Sequence, residues 1–252
     1  MARGLRNGDS RAHPHGGMGN RSMRRVVAII PAAGRGKRMG GEIPKTSLSL
    51  GGVPLLWHTL QKFEACSRVD EVLPLVPPEE LSFWTDEIAR SSGFKKIQRV
   101  LAGGAERQDS VFLGLKAIAG NADWVVIHDG ARPFVPPELI ERALSETRRW
   151  KAVVAALPAG ETIKEVSPEK EVLRTVDRGP LWIIQTPQAF AYNVIFGAHE
   201  KARAERFGGT DDASLVERLG FPVRVIEGSR LNFKITTPED LTLGEALLKY
   251  LK

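Results

Sequence analysis

The stretch VVAIIPAAGRGKRMGGEIPKT, Val26–Thr46, decides the fold. Val26 to Ile30 is apolar and β-branched with no alternation, the pattern of a strand covered on both faces in a parallel sheet. It runs straight into a loop of small residues and cations. Open α/β sheets place their ligands at the carboxyl ends of such strands. Ala33, Gly34 and Gly36 have little or no side chain, so backbone N–H groups can approach phosphate oxygens, while Arg35, Lys37, Arg38 and Lys45 supply positive charge. The loop reads as a polyphosphate site.

Two better-known phosphate loops fail on spacing. A P-loop requires glycine at position 31, which is Pro31, and Ser or Thr after Lys37, where Arg38 stands. A dinucleotide fingerprint starting at Gly34 and Gly36 requires a third glycine at position 39, which is Met39, and no lone acidic residue ends a second strand about 20 residues on.

Outward from this loop, apolar strands alternate with amphipathic helices. The periodicity predicts helices over 54–69, 79–89, 108–118 and 138–148, and strands over 71–76, 97–101, 123–128 and 151–157. This βαβ rhythm predicts an α/β fold, a Rossmann-like, doubly wound and mostly parallel sheet with right-handed crossovers. The rhythm breaks at Pro158. From 158 to 185 short strand-like pieces, 161–166, 172–176 and 182–184, are separated by turn residues and read as a projecting β-arm. Exposed strand edges invite pairing, so the arm is expected to mediate a homodimer. Helices are expected again over 192–206 and 212–219, strands over 223–227 and 232–235, and a last helix opened by Thr237-Pro238-Glu239-Asp240.

Composition limits the function classes. A chain of 252 residues with 42% hydrophobic content can bury one large core, so residues 23–252 are expected to form a single domain. The net charge of +6 invites a nucleic-acid reading, but six arginines against Asp9 in the first 25 residues account for nearly all of it. The remainder has no basic stripe to follow a nucleic-acid backbone. Residues 1–22, rich in Gly, Arg, His and Asn, are expected to be disordered. Cys66 is the only cysteine, no stretch has the length of a membrane span, and the chain reads as cytoplasmic.

Further polar clusters fall at predicted strand and helix ends. Gly103-Gly104-Ala105-Glu106-Arg107 leads into a helix whose N-terminus can hold part of a nucleotide. His128-Asp129-Gly130-Ala131-Arg132-Pro133 places Asp129 where a carboxylate can hold Mg²⁺ together with substrate phosphates. The arm offers Thr162, Lys164, Thr175 and Arg178, followed by Thr186-Pro187-Gln188, Thr210-Asp211-Asp212 and Asn232-Phe233-Lys234. Read plainly, His128, His58 and Cys66 are packing residues, and Asp211 and Asp212 favour a helix N-terminus.

In this order, Pro31 to Met39, Pro44-Lys45, Gly104 with Arg107 and Ser110, His128 to Pro133, Thr175 to Arg178, Thr186 to Gln188, Thr210-Asp211 and Asn232-x-Lys234 resemble the 2-C-methyl-D-erythritol 4-phosphate cytidylyltransferase family. The resemblance implies transfer of CMP from CTP to methylerythritol phosphate with release of pyrophosphate. It implies that Arg38 and Lys45 stabilise charge on the α-phosphate, and that Arg178 and Lys234 position the substrate phosphate. It further implies that Thr162 and Arg178 reach the site from the neighbouring subunit, and that backbone near Ala32 and Gly104, with Ser110, recognises cytosine and ribose. Pro31, Gly130, Arg132, Thr186 and Thr210 complete the expected substrate contacts. The attacking oxygen is already anionic, so no general base is needed, and catalysis rests on positioning and electrostatics. Thr46, Ala105 and Gly130 depart from the family's usual residues at those positions.

Three rival readings remain at this level. One is a cytidylyltransferase for another polyol phosphate, such as ribitol 5-phosphate. Another is a noncatalytic nucleotide-binding protein, against which the pairing of Arg38 with Lys45 argues. The third is a nicotinamide oxidoreductase, which Met39 disfavours.

Overall fold

The computed structural model describes residues 25–34 and 48–251. Gly36, Arg38, Lys45 and Thr46 lie outside the described residues, as does segment 1–22 with its expected disorder. In chain order the strands are β1 (Val26–Pro31), β2 (Ser49–Leu50), β3 (Val53–Pro54), β4 (Glu71–Val76), β5 (Leu101–Ala102), β6 (Trp124–Ile127), β7 (Ala152–Pro158), β8 (Ile163–Val166), β9 (Val172–Val176), β10 (Trp182–Ala191) and β11 (Arg224–Glu227). The helices are α1 (Leu55–Ala65), α2 (Leu81–Arg90), α3 (Arg107–Ile118), α4 (Pro137–Trp150), α5 (Tyr192–Ala204), α6 (Asp212–Arg218) and α7 (Pro238–Tyr250).

The central sheet has the order β11-β7-β10-β6-β1-β4-β5 and is parallel except where β10 runs antiparallel to β6 and β7. The unalternating run at β1 has its cause here. Val26, Ala28 and Ile30 face a core built with α1, α2 and α4, while Val27 and Ile29 face a second core built with α3, α5 and α6. All five residues are essentially inaccessible to solvent. Burying each valine or isoleucine there is worth roughly 1.5–3 kcal/mol, enough to fix β1 at the centre. A third, smaller cluster packs α7 through Leu241, Leu247 and Leu248 onto Leu50, Leu55, Phe134 and Ile235. The start of α7 follows its sequence signal: Thr237 is the N-cap, Pro238 opens the first turn and Asp240 closes the capping box.

Three expectations are corrected. The strand expected over 97–101 is confined to Leu101–Ala102, beside Leu75 and Val76 of β4. No strand forms over 232–235, because those backbone groups are engaged elsewhere: the Ile235 N–H donates to the Ala131 carbonyl and the Asn232 carbonyl accepts from Arg132. Residues 182–184 are not a separate piece of the arm. They begin the ten-residue β10, which crosses a cis Thr186–Pro187 bond and carries Thr186, expected in a loop, into the body of the sheet. The arm proper is the hairpin of β8 and β9, paired only with each other.

Candidate active site

The order in which strands are added reverses at β1: successive connections lead to β4 and β5 on one side, whereas β6 lies on the other, and all of these strands run parallel. The residues directly after β1, 32–34, and the loops after β5 and β6 therefore come together at the carboxyl ends of the strands, the switch point where such sheets bind ligands. Gly130 donates its N–H to the Pro31 carbonyl at 3.2 Å, and Gly104 donates to Ser110 Oγ at 3.0 Å. The approach is close enough to require glycine: a Cβ at Gly103 would stand 2.3 Å from the Ala33 Cβ, and one at Gly130 would stand 2.9 Å from the Ala32 Cβ. Pro31, Ala32, Ala33, Gly104, Ser110 and Gly130 thus lie together in one cradle beside the N-terminus of α3, while Gly34 is exposed with nothing within 4 Å of where a Cβ would stand.

Next to this cradle is a pocket of about 440 Å³ lined by Arg107, Asp129, Arg132, Thr186, Thr210 and Lys234, with Gln185, Gln188, Asp211 and Glu217 among the rest of its wall. Asp129 is its hub. Arg107 Nε donates to Asp129 Oδ1 at 2.8 Å; Lys234 Nζ lies 2.8 Å and Arg132 Nε 3.6 Å from Asp129 Oδ2. Burial acts to raise the Asp129 pKa, but Arg107, then Lys234 and Arg132, overcome it and hold the carboxyl well below the usual range. Burial lowers the Arg132 pKa, opposed by Asp129.

A closed ring of hydrogen bonds braces this wall. The Asp129 N–H donates to Thr186 Oγ1, which lies 3.0 Å from His128 Nδ1. His128 Nε2 lies 3.1 Å from the Arg132 carbonyl, so that nitrogen carries the proton and Nδ1 accepts from the Thr186 hydroxyl. Arg132 Nη1 donates to the Asn232 carbonyl at 2.7 Å, and Asn232 Nδ2 returns to the Thr186 carbonyl at 2.6 Å. Full burial pushes the His128 pKa down to about 3, which keeps the ring in this neutral form. The ring seats Lys234, two residues past the fully buried Asn232, on the pocket wall.

Thr186, Thr210, Arg132, Asp129 and Lys234 come together as site residues. Thr162 and Arg178 do not join them within one chain: both are exposed, and neither lines the pocket. Arg178 instead donates to the Gly160 carbonyl. Arg107, Gln188 and Asn232 stood in the quoted motifs without an assigned role, and Asp212 only as a helix-start acid. Asp211 does cap α6, accepting from the Ser214 N–H at 2.9 Å, whereas Asp212 turns inward to Arg107 and His199.

The expected role of Asp129 as a Mg²⁺ ligand does not fit these surroundings. Both of its oxygens are already engaged, Oδ1 by Arg107 and Oδ2 by Lys234 with Arg132 close by, so a metal would have to displace these cations to reach the carboxylate. Among the described residues no group of three or more His, Cys, Asp or Glu side chains is gathered as a metal cage.

A sequence model of the 2-C-methyl-D-erythritol 4-phosphate cytidylyltransferase family matches residues 26–250. A protein of that description from Geobacter metallireducens is 49% identical over 227 residues, covering 89% of this chain and 97% of the relative. The crystal structure of 4-diphosphocytidyl-2C-methyl-D-erythritol synthase from Anaerococcus prevotii aligns with a TM-score of 0.79 at 33% identity, covering 90% of this chain and 97% of that one. The crystal structure of 2-C-methyl-D-erythritol 4-phosphate cytidylyltransferase from Thermus thermophilus aligns with a TM-score of 0.73 at 38% identity, covering 89% and 99%.

Proposed function

The chain belongs to the 2-C-methyl-D-erythritol 4-phosphate cytidylyltransferase family, and from that premise we propose how its residues carry out the transfer of CMP from CTP to methylerythritol phosphate. An oxygen of the acceptor phosphate attacks the α-phosphorus of CTP. The bond from that phosphorus to the bridging oxygen breaks, and pyrophosphate leaves with the electron pair. The cytidine end lies in the small-residue cradle of Ala32, Gly104 and Ser110, where backbone groups approach the base and ribose. The acceptor lies in the adjoining pocket, its phosphate drawn by Lys234 and its hydroxyls facing Thr186, Thr210 and Asp129. Arg38 and Lys45 stabilise the charge that builds on the α-phosphate, as the chemistry of two anions meeting in line requires.

Mg²⁺ accompanies the triphosphate of CTP rather than docking on Asp129, in keeping with its preference for substrate phosphates and water. The enzyme works as a homodimer in which Thr162 and Arg178 of the arm serve the neighbouring subunit's pocket. Support for this comes from exposed apolar side chains on the arm, Val172 and Leu173, and at the adjoining start of β10, Ile183, each 60–61% accessible. A cytoplasmic location accords with a single cysteine and with the absence, among the described residues, of a helix long and apolar enough to cross a membrane.

The observation that carries the assignment is the family match from 26 to 250, which takes in the cation loop and the Asp129 pocket alike. The test is pyrophosphate release from CTP with Mg²⁺, offering methylerythritol phosphate and ribitol 5-phosphate separately. Turnover with the first alone, abolished in Arg38→Ala, is expected. Turnover only with ribitol 5-phosphate, or with neither, would overturn the assignment.

A further inference from the structure

We propose that Arg107 is a positioning residue for the acceptor subsite, acting through Asp129 and backed by the buried pair Asp212–His199. The inference rests on the cytidylyltransferase reading and adds a residue with no role in it so far. Arg107 opens α3, directly after the Gly103-Gly104 turn of the nucleotide cradle. Its side chain leaves that cradle and crosses to the acceptor pocket. Nε meets Asp129 Oδ1 at 2.8 Å while Nη1 meets Asp212 Oδ2 at 2.7 Å, so one guanidinium bridges two carboxylates from separate elements. The rear carboxylate is fixed in turn: Asp212 is 1% exposed, and its other oxygen accepts from His199 Nε2 at 3.1 Å.

The chain His199–Asp212–Arg107–Asp129–Lys234 therefore links α5, α6, the first turn of α3, the loop after β6 and the segment before α7. Its middle member decides how Asp129 is shared. With Arg107 holding Oδ1, only Oδ2 is left for Lys234 and Arg132. Without Arg107 the carboxylate keeps its full charge beside those two cations alone. It pivots onto Lys234, the group that must be free to receive the acceptor phosphate. A buried carboxylate deprived of a partner also draws its neighbours toward it, since its desolvation is no longer offset. Lysine cannot reproduce the bridge, because an ammonium is a point charge and the planar fork is what spans both carboxylates.

The nucleotide cradle is held by other means, namely the Gly104–Ser110 and Gly130–Pro31 contacts. Loss of Arg107 should therefore separate the two substrates kinetically. In Arg107→Met the KM for methylerythritol phosphate is expected to rise about 10- to 100-fold, the cost of a misplaced binding group, with the KM for CTP unchanged within about twofold. Arg107→Lys should recover part of the loss. Asp212→Asn, which keeps its shape and removes the rear anchor's charge, should raise the acceptor KM in the same direction by a smaller factor.

The experiment is steady-state pyrophosphate release with each substrate varied in turn, on wild type and the three variants, each checked for folding by circular dichroism. Wild-type turnover of CTP with methylerythritol phosphate tests the underlying reading, and only the variant pattern bears on Arg107. A folded Arg107→Lys or Asp212→Asn with an unaltered acceptor KM, or with both KM values rising together, overturns the proposal. Should Arg107→Met fail to fold, these two conservative variants decide the matter.

Discussion

Replacing His128 with glutamine isolates one buried proton site and its effect on stability. His128 is wholly enclosed, and burial sets its folded-state pKa at about 3, against roughly 6.5 for an exposed imidazole. Between these values the unfolded chain binds a proton that the folded chain refuses. The stability from keeping His128 neutral is thus complete above about pH 6.5 and is lost progressively as pH falls toward 3. Each pH unit in that window costs about 1.4 kcal/mol, which gives about 2 kcal/mol at pH 5 and an upper bound near 5 kcal/mol at pH 3. His128→Gln breaks part of the hydrogen-bond ring and should cost about 1–3 kcal/mol at every pH. It should also remove the proton-linked term. Denaturant unfolding of both proteins at pH 8 and pH 5 measures this, with His58 and His199 present in each. The wild type should lose about 2 kcal/mol more than the variant over that interval. Parallel losses would show that His128 is not held neutral by its site and would refute the tautomer assigned to the ring.

Two further substitutions probe the site. Asp129→Asn removes the shared anion of Arg107, Lys234 and Arg132, leaving three cations in mutual repulsion, and should lower kcat/KM for methylerythritol phosphate about 100-fold in the pyrophosphate assay, equivalent to about 3 kcal/mol. Gly103→Ala puts a methyl group 2.3 Å from the Ala33 Cβ and 2.8 Å from Ser110 Oγ. It should push the β1 loop and α3 apart, lowering the melting temperature and raising the KM for CTP several-fold, consistent with an overpacking cost of about 1–3 kcal/mol.

The sheet was legible because burial on two faces leaves a plain mark: β1 and β6 are unbroken apolar runs, and β4 is one after its first residue, Glu71, at the positions their sequence predicts. Elements held by something other than periodicity were misread. Asn232–Ile235 looks like a strand in composition, yet the Asn232 side chain replaces a sheet partner by bonding to Thr186 and Gln185. Only the first three residues of β10 read as strand because Pro187 interrupts it, although the residues on both sides of that proline continue in one sheet. At the site, single polar residues were visible in the sequence as Asp129, Thr186, Thr210 and Lys234. The partnership of Arg107 with Asp212 was not, because it joins residues 105 positions apart and no local pattern encodes such a pair. For the same reason the sequence shows Asp212 only as an acid at the start of α6, which it is, and not its pairing with Arg107 and His199.

The charge of the acceptor pocket bears on how many chains make one site. Among the described residues its lining carries Arg107, Arg132 and Lys234 against Asp129, Asp211 and Glu217, and Asp212 stands directly behind Arg107. One chain's wall therefore offers no surplus positive charge to a phosphate that is itself an anion, and attraction at short range in a partly dry pocket requires one. Arg178 is a suitable source, since it is exposed on the arm and absent from its own chain's pocket. If it acts across a twofold dimer, each site combines Lys45 of one chain with the arm of the other. Arg178→Ala and Lys45→Ala should each be inactive alone. Unfolded together in equal amounts and refolded, they form mixed dimers in which one of the two sites has neither defect. Random pairing makes half of all dimers mixed, so about a quarter of wild-type activity should return. If Arg178 served its own chain, every site in the mixture would keep one defect, and the refolded sample would stay as inactive as its parents.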